Sequence, residues 1–324
     1  EEWYQFRYGG LTASSIWKAI DREANRNCLI YKKCCPLKKV SGVNVNSAFH
    51  NGHKYEPLSV MIYEDRFNTK VDDFGCMAHN THKFIGASPD GINTKRDNER
   101  YGRMLEIKNP VSRKLSGVPK KDYWVQMQIQ MEVWDLDECD FYETCFKEYA
   151  NEEEFLKDGE KFNYTEKGQL KGVMLMFGGF EEPEYVYSPL NLTKDEFDEW
   201  YDKTMDEKSN LTWIKNLYWY LEEESLVLVP RNKEWFSTAL PEFKTLWDIV
   251  LKERETGYEH RKPKKRNKRK PVVNMTDIDP LLKSMMEEME DEEYDEMFER
   301  EKKANKKKSA GLIFKVRTES FAED

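Results

Sequence analysis

Three side chains in two short stretches have the types and spacing for phosphoryl chemistry. Asp90 lies in "GASPDGI", bracketed by Pro89 and Gly91, and Glu106 follows 16 residues later in "MLEIKNPV", with Lys108 two positions beyond. In an extended strand alternate side chains share a face, so Leu105 and Ile107 point to a core while Glu106 and Lys108 stand together on the other side. If the Glu106 strand runs antiparallel beside the strand that ends at Asp90, the two carboxylates meet. Like charges at that range repel unless a divalent cation lies between them. Mg²⁺ suits such a place, because it takes carboxylates, waters and substrate phosphates together. A lysine alongside can neutralise an attacked phosphate or orient a water. Two carboxylates, a metal-activated water and a lysine are the equipment for phosphodiester hydrolysis. Taken alone, "MLEIKNPV" reads more simply as a half-exposed strand with a solvated charge pair.

The surrounding elements must bring these groups together. "LTASSIWKAI" opens with a Thr/Ser-rich cap and continues at helical spacing through Ile16, Trp17 and Ile20. "AFHNGHKYEPLSVMIYEDRF" reads as a second helix, with Leu58, Met61 and Ile62 on one face. "FGCMAHNTHKFIGASPDGIN" reads as strand, turn, strand, and Asn109 and Pro110 stop the strand of "GRMLEIKNP". "KDYWVQMQIQMEVWDL" reads as a helix with Asp122 near its start, and "CDFYETCF" as a further strand. That order gives a mixed α/β class: a small mixed sheet flanked by helices over residues 1–150. In 151–255, "GVMLMF" and "PEYVYSP" read as strands, "TKDEFDEWYDKTM" as an amphipathic helix capped by Thr193, and "PEFKTLWDIVLKERE" as the last helix. This stretch is taken as a C-terminal elaboration of the same domain.

Length and composition set bounds. A chain of 324 residues with 13% aromatic content, including 9 Trp and 17 Tyr, holds enough apolar mass for one large domain or two smaller ones. No apolar run approaches a membrane span, so no membrane partner is expected. No leader is visible, although the chain starts at Glu1 without a Met, which leaves a preceding segment open. The formal net charge of −9 is uneven: residues 1–150 carry 22 Lys+Arg against 21 Asp+Glu, 151–255 carry 13 against 24, and 256–324 carry 17 against 16. The acidic middle is a poor nucleic-acid binder, an objection that the first 150 residues escape. Six cysteines include "CLIYKKCC" but form no CxxC pair, which fits reduced intracellular thiols better than a metal or iron–sulfur site. Residues 256–324 alternate a basic block at 261–270, an acidic block at 287–300 and "KKANKKK", and read as a charged, disordered or conditionally helical tail. The basic block is compatible with nuclear targeting or a non-specific DNA tether, and equally with simple solvation.

The "SPD" and "EIK" pieces match the D…E-x-K signature of the PD-(D/E)XK nucleases. With "RYGGLTAS", "GHKYEP" and "YWVQMQ" in the same order, the chain resembles the phage lambda exonuclease family, the viral-recombinase type of PD-(D/E)XK enzyme, over about residues 3–145. The resemblance implies a PD-(D/E)XK core in which Asp90 and Glu106 bind metal, the Ile107 main-chain carbonyl is a further ligand and Lys108 is catalytic. Glu56 would help to bind metal or position water, and Gln126 would border the active site on the "YWVQMQ" helix. Tyr123 and Gln130 share that helix face at i−3 and i+4, whereas Gln128 does not. Arg7 and Ser14 match residues that hold the 5′-phosphate of a DNA end, and a guanidinium with a hydroxyl near a helix N-terminus suits that task. His50 and His53 flank the Glu56 motif as near-site residues, and Ser88 shapes the turn that presents Asp90.

By the same resemblance the expectation is an Mg²⁺-dependent 5′→3′ exonuclease, with Mn²⁺ able to substitute. It would act on double-stranded DNA ends and leave 3′ overhangs for recombination or viral genome processing. A strand-annealing or single-strand-binding protein, a homo-oligomer such as a ring-shaped trimer, and a viral source acting in the host nucleus or cytoplasm belong to that expectation. Two rivals stay open. A RecB-like single-strand nuclease often carries a cluster-binding cysteine set, which these positions do not match, with no Cys after Cys145. A catalytically silent DNA-end-binding scaffold would bind ends without cutting.

Overall fold

The computed structural model describes residues 2–36, 47–111, 113–179 and 182–263. In chain order the elements are α1 (Glu2–Tyr8), β1 (Leu11–Thr12), α2 (Ala13–Ile16) running into a 3-10 turn at Trp17–Ile20, α3 (Glu23–Cys34), α4 (Ala48–Phe67), β2 (Val71–Asp72), β3 (Met77–Ala78), β4 (Ile85–Ala87), β5 (Gly91–Asn93), β6 (Met104–Lys108), α5 (Lys121–Trp134), β7 (Glu138–Glu148), α6 (Glu152–Lys157), β8 (Lys171–Gly179), β9 (Glu182–Tyr187), α7 (Lys194–Glu207), β10 (Trp213–Pro230) and α8 (Lys233–Thr256). The strands form a three-stranded sheet, β1-β4-β3, and a seven-stranded mixed sheet, β2-β5-β6-β7-β10-β8-β9. This is the mixed α/β class expected from the sequence, on a larger sheet.

The centre of the large sheet is β5-β6-β7. Strands β5 and β6 are antiparallel with Gly91 opposite Leu105, while β6 and β7 are parallel with Glu106 opposite Phe141 and Lys108 opposite Glu143. The parallel pair requires a crossover, which α5 supplies. Helix α5 covers one face, where Met104, Met127, Met131, Cys139 and Phe141 pack together. Helix α4 covers the other, with Tyr63 against Leu105, Ile107 and Tyr142. Strand β6 is therefore buried on both sides, Glu106 included. This corrects the half-exposed strand that alternation alone suggests: the polar face is roofed by a helix whose own polar residues meet it.

Local chemistry fixes the ends of these helices. Ser47 caps α4 by accepting from the His50 N–H at 3.0 Å, and Asn68 ends it in the left-handed region at φ 46°. Thr193 and Glu196 form a reciprocal capping box at the start of α7. Helix α8 begins eight residues before the proline from which the sequence reading starts it, because Asn232 caps it by accepting from the Trp235 N–H at 2.8 Å. Pro241 is accommodated inside the helix.

The C-terminal half builds onto the first. Strand β10 pairs antiparallel with β7 from Trp219–Glu148 to Pro230–Glu138, with a bulge between Leu221 and Glu223, and then with β8. Helix α8 places Phe236, Phe243, Leu246 and Val250 in one core with Leu11, Ile16, Leu29, Ile30, Val125 and Ile129. Neither α3 nor β10 is anticipated by the sequence reading. None of the six cysteines is in a disulfide. Within the stretch assigned to the tail, Glu259–Arg261 forms a 3-10 turn in which Arg261 donates to Glu253 at 2.6 Å. Residues 264–270 of the basic block, and everything after it, lie outside the described residues. Among the described residues no helix is long and apolar enough to cross a membrane.

Candidate active site

Asp90 and Glu106 meet at the junction of β5 and β6. The pairing of Gly91 with Leu105 sets Asp90 beside Glu106, and the Asp90 Oδ2 accepts from the Ile107 N–H at 2.7 Å. Glu106 has no exposed surface. Its Oε1 accepts from Lys108 Nζ at 2.6 Å and from Gln126 Nε2 at 2.7 Å, and its Oε2 accepts from Gln130 Nε2 at 2.7 Å. Gln130 Nε2 also reaches the Ser88 carbonyl at 3.1 Å. Burial pushes the Glu106 carboxyl up to about 7. The Asp90 charge pushes the same way, and Lys108 and Gln130 oppose both.

Above these groups is a small cavity of about 70 Å³. It is lined by Arg7, Thr12 and Ser14 from the N-terminal elements, Gly52 and Glu56 from α4, Ser88, Asp90, Ile107, Lys108 and Asn109 from the strand ends, and Gln126 and Gln130 from α5. The cavity thus brings together Arg7, Ser14, Glu56, Ser88, Asp90, Ile107, Lys108 and Gln126, which come from well-separated parts of the chain. Tyr123 is not a lining residue, but Lys108 Nζ lies 5.2 Å from its ring centroid. His53 is not a lining residue either. Its neighbour His50 is turned towards β9, where its Nε2 lies 2.6 Å from the Tyr185 hydroxyl, and burial lowers its pKa to about 4. His50 is therefore neutral at ordinary pH.

Glu56 does not complete a carboxylate cluster. Among the described residues no three His, Cys, Asp or Glu side chains come close enough to hold an ion by themselves. The reason is topological: Glu106 faces α5, whereas Glu56 arrives on α4, which packs on the opposite face of the strands. The groups that the resemblance offers to an ion are the two carboxylates and the Ile107 main chain, which also lines the cavity. A divalent cation fits them, because a buried carboxylate with a raised pKa beside a second one is a place where positive charge is favoured.

Sequence reasoning missed the lock on the end of β6. Asn109 Nδ2 donates to Ser59 Oγ at 2.8 Å and to Thr144 Oγ1 at 2.7 Å, and Asn51 Nδ2 donates to the Asn109 carbonyl at 3.3 Å. These bonds fix the chain immediately after Lys108. Asn109 reads in sequence as a strand stop, which hides its side-chain partners. Glu143, buried beside Lys108 in register and paired with Arg113, was missed for the same reason.

Residues 2–137 match the model for the YqaJ-like viral recombinase domain. That model is of the same viral-recombinase type as the family that the five motifs resemble. The chain is 32% identical over 290 residues to the uncharacterized protein R354 of Acanthamoeba polyphaga mimivirus, an alignment covering 78% of this chain and 52% of that protein. The chain thus spans about half the length of that relative. Among solved structures, the alkaline exonuclease LHK-Exo of Laribacter hongkongensis matches with 17% identity and a TM-score of 0.46, over 79% of this chain and 94% of that one. Its complex with dAMP gives 18% and 0.47 over the same shares. A phage-related exonuclease from Haemophilus somnus 129PT gives 10% and 0.40, over 78% and 96%.

Proposed function

We propose that this protein is a divalent-metal-dependent deoxyribonuclease that degrades one strand of a double-stranded DNA end in the 5′→3′ direction. The observation that carries the reading is the gathering of Asp90, Lys108, Arg7 and Ser14 in the lining of one cavity, with Lys108 held by the buried Glu106, in a segment that matches the model for the YqaJ-like viral recombinase domain.

When bound, a divalent ion held by Asp90, Glu106 and the Ile107 carbonyl supplies positive charge opposite the attacked phosphate; Mg²⁺ is the ion we favour, with Mn²⁺ as a substitute. Lys108 provides a second positive charge, oriented by Glu106 and by the Tyr123 ring. Gln126 holds the Glu106 carboxylate so that it keeps one geometry as the phosphate arrives. Glu56 reaches the cavity from the far side and can accept a proton from water there. Arg7 and Ser14 line the same cavity and are the residues we assign to hold the 5′-phosphate. The 3′ overhang would feed recombination or viral genome processing, with a strand-annealing or single-strand-binding partner. A ring-shaped trimer and action in a host nucleus or cytoplasm belong to the same proposal.

The test uses linear duplex labelled at one 5′ end, with and without a 5′-phosphate, in Mg²⁺ and in EDTA, for the protein and for Lys108→Ala. Immediate release of labelled mononucleotide in Mg²⁺ alone, absent in the variant and faster with the 5′-phosphate, supports the reading. Label retained on fragments that shorten from the other end overturns the polarity. Bound but uncut ends overturn the nuclease itself.

A further inference from the structure

Helix α5 carries three glutamines, and two of them are fully buried for different reasons. Gln128 points away from the cavity: it donates to the Pro230 carbonyl at 2.9 Å and accepts from the Asn232 N–H at 2.6 Å, which ties α5 to the start of α8. Gln130 lines the cavity with 0% exposure. Its Nε2 spans Glu106 Oε2 and the Ser88 carbonyl, two residues before Asp90. Both neighbours of that nitrogen are acceptors, so the amide can stand in only one orientation. Its Oε1 is buried with no hydrogen-bond partner. A buried acceptor left unmade costs free energy, and native proteins seldom leave one without a function or a bound water.

We propose that Gln130 is a positioning residue for the cleavage reaction. Through Nε2 it couples the Glu106 carboxylate to the turn that presents Asp90, so that the two metal-binding groups keep one separation. Through Oε1 it holds a water molecule on the cavity floor. The inference rests on the nuclease reading for its second half and on the carboxylate pair alone for its first. Gln126, by contrast, touches only Glu106 Oε1 and links nothing to the Asp90 turn.

Gln130→Met keeps the length of the side chain and removes both polar ends. Gln128→Met does the same two residues earlier, where no cavity group is touched, and serves as the measure of purely structural damage. Mn²⁺ binding to the full chain without DNA, followed by electron paramagnetic resonance, reads the first half. Outer partners of metal ligands are worth 10- to 100-fold in affinity, so Gln130→Met should weaken Mn²⁺ by about that factor while Gln128→Met stays within about twofold. Single-turnover cleavage at saturating metal reads the second half. It should fall roughly 100-fold in Gln130→Met, with affinity for duplex ends in EDTA unchanged. Unaltered Mn²⁺ affinity in Gln130→Met, or an equal loss in Gln128→Met, overturns the proposal, and so does a parent protein that binds no Mn²⁺. A parent that binds Mn²⁺ but cuts no DNA sinks the nuclease reading, and the two affinities still decide whether Gln130 positions the carboxylates.

Discussion

Glu106→Gln should abolish cleavage and at the same time make the metal-free protein more stable at alkaline pH. The carboxyl is fully buried and its pKa rises from 4.5 to about 7 in the fold. An acid held above its unfolded value stabilises the fold below pH 4.5, and that contribution is lost as pH rises through about 7. At 1.36 kcal/mol per pKa unit, the ionised group costs the native state about 3 kcal/mol at pH 8. The amide removes that cost but replaces one acceptor by a donor facing Gln130 Nε2, a loss of about 1 kcal/mol. The net gain is about 2 kcal/mol, or roughly 3–4 °C in Tm for a chain of this size. Thermal unfolding in EDTA measures it at pH 4 and pH 8. The gain should appear at pH 8 and vanish or reverse at pH 4. Adding Mn²⁺ should raise the Tm of the parent and leave the variant unmoved. A variant less stable than the parent at pH 8, or a difference independent of pH, would refute the account of Glu106 as a carboxylate kept at a cost for a cation.

Lys108→Ala should lower single-turnover cleavage by about 100- to 1,000-fold while duplex ends remain bound, measured by gel assay and anisotropy. Arg7→Ala and Ser14→Ala should erase the rate advantage of a 5′-phosphate and leave the rate on 5′-hydroxyl ends within about threefold. Gly86→Ala would set a Cβ 2.2 Å from the Phe6 ring. It should lower stability by about 1–3 kcal/mol in denaturant melts and disturb the 5′-phosphate preference through α1, which carries both Phe6 and Arg7. Ca²⁺, which occupies carboxylate sites, should tighten binding of a duplex end severalfold over EDTA, and Asp90→Asn should remove that gain.

The meeting of Asp90 with Glu106 was legible from a Pro-Asp-Gly turn followed by a short alternating strand. The strand that delivers Asp90 was not: the one ended by Pro-Asp-Gly is β4, in the three-stranded sheet, whereas Asp90 stands just before β5, and β5 is the antiparallel neighbour of β6. Helix α5 was legible from its length, and the face of Gln126 and Gln130 from their spacing of four. Burial was not legible. Glu106, Gln126 and Gln130 read singly as surface residues, and satisfy one another only across a helix–strand contact that sequence order does not announce. Strand β10 was hidden by its own middle, "LEEESL", since Glu224 is tied to the Tyr142 hydroxyl at 2.6 Å and to Arg66 at 2.7 Å. Its partner β7 lies some 70 residues earlier, beyond the reach of any local pattern. Helix α3 was missed because half of its residues are polar, and only Leu29, Ile30 and Cys34 are buried.

The charges of the site bear on why Glu106 is buried while Asp90 and Glu56 are only half-buried. The cavity lining carries Arg7 and Lys108 against Glu56 and Asp90, with Glu106 beneath, which leaves one negative charge in a space of about 70 Å³. A phosphate entering that space alone adds like charge where little water remains to screen it. A cation entering alone meets Lys108, already in contact with Glu106 at 2.6 Å. Entering together, the two cancel, and the Lys108 contact can shift from the carboxylate to the phosphate. On this argument Glu106 is held in place by three donors that reduce its charge without abolishing it. The two glutamines hold the carboxylate's geometry without neutralising it, which a second lysine at either position would do.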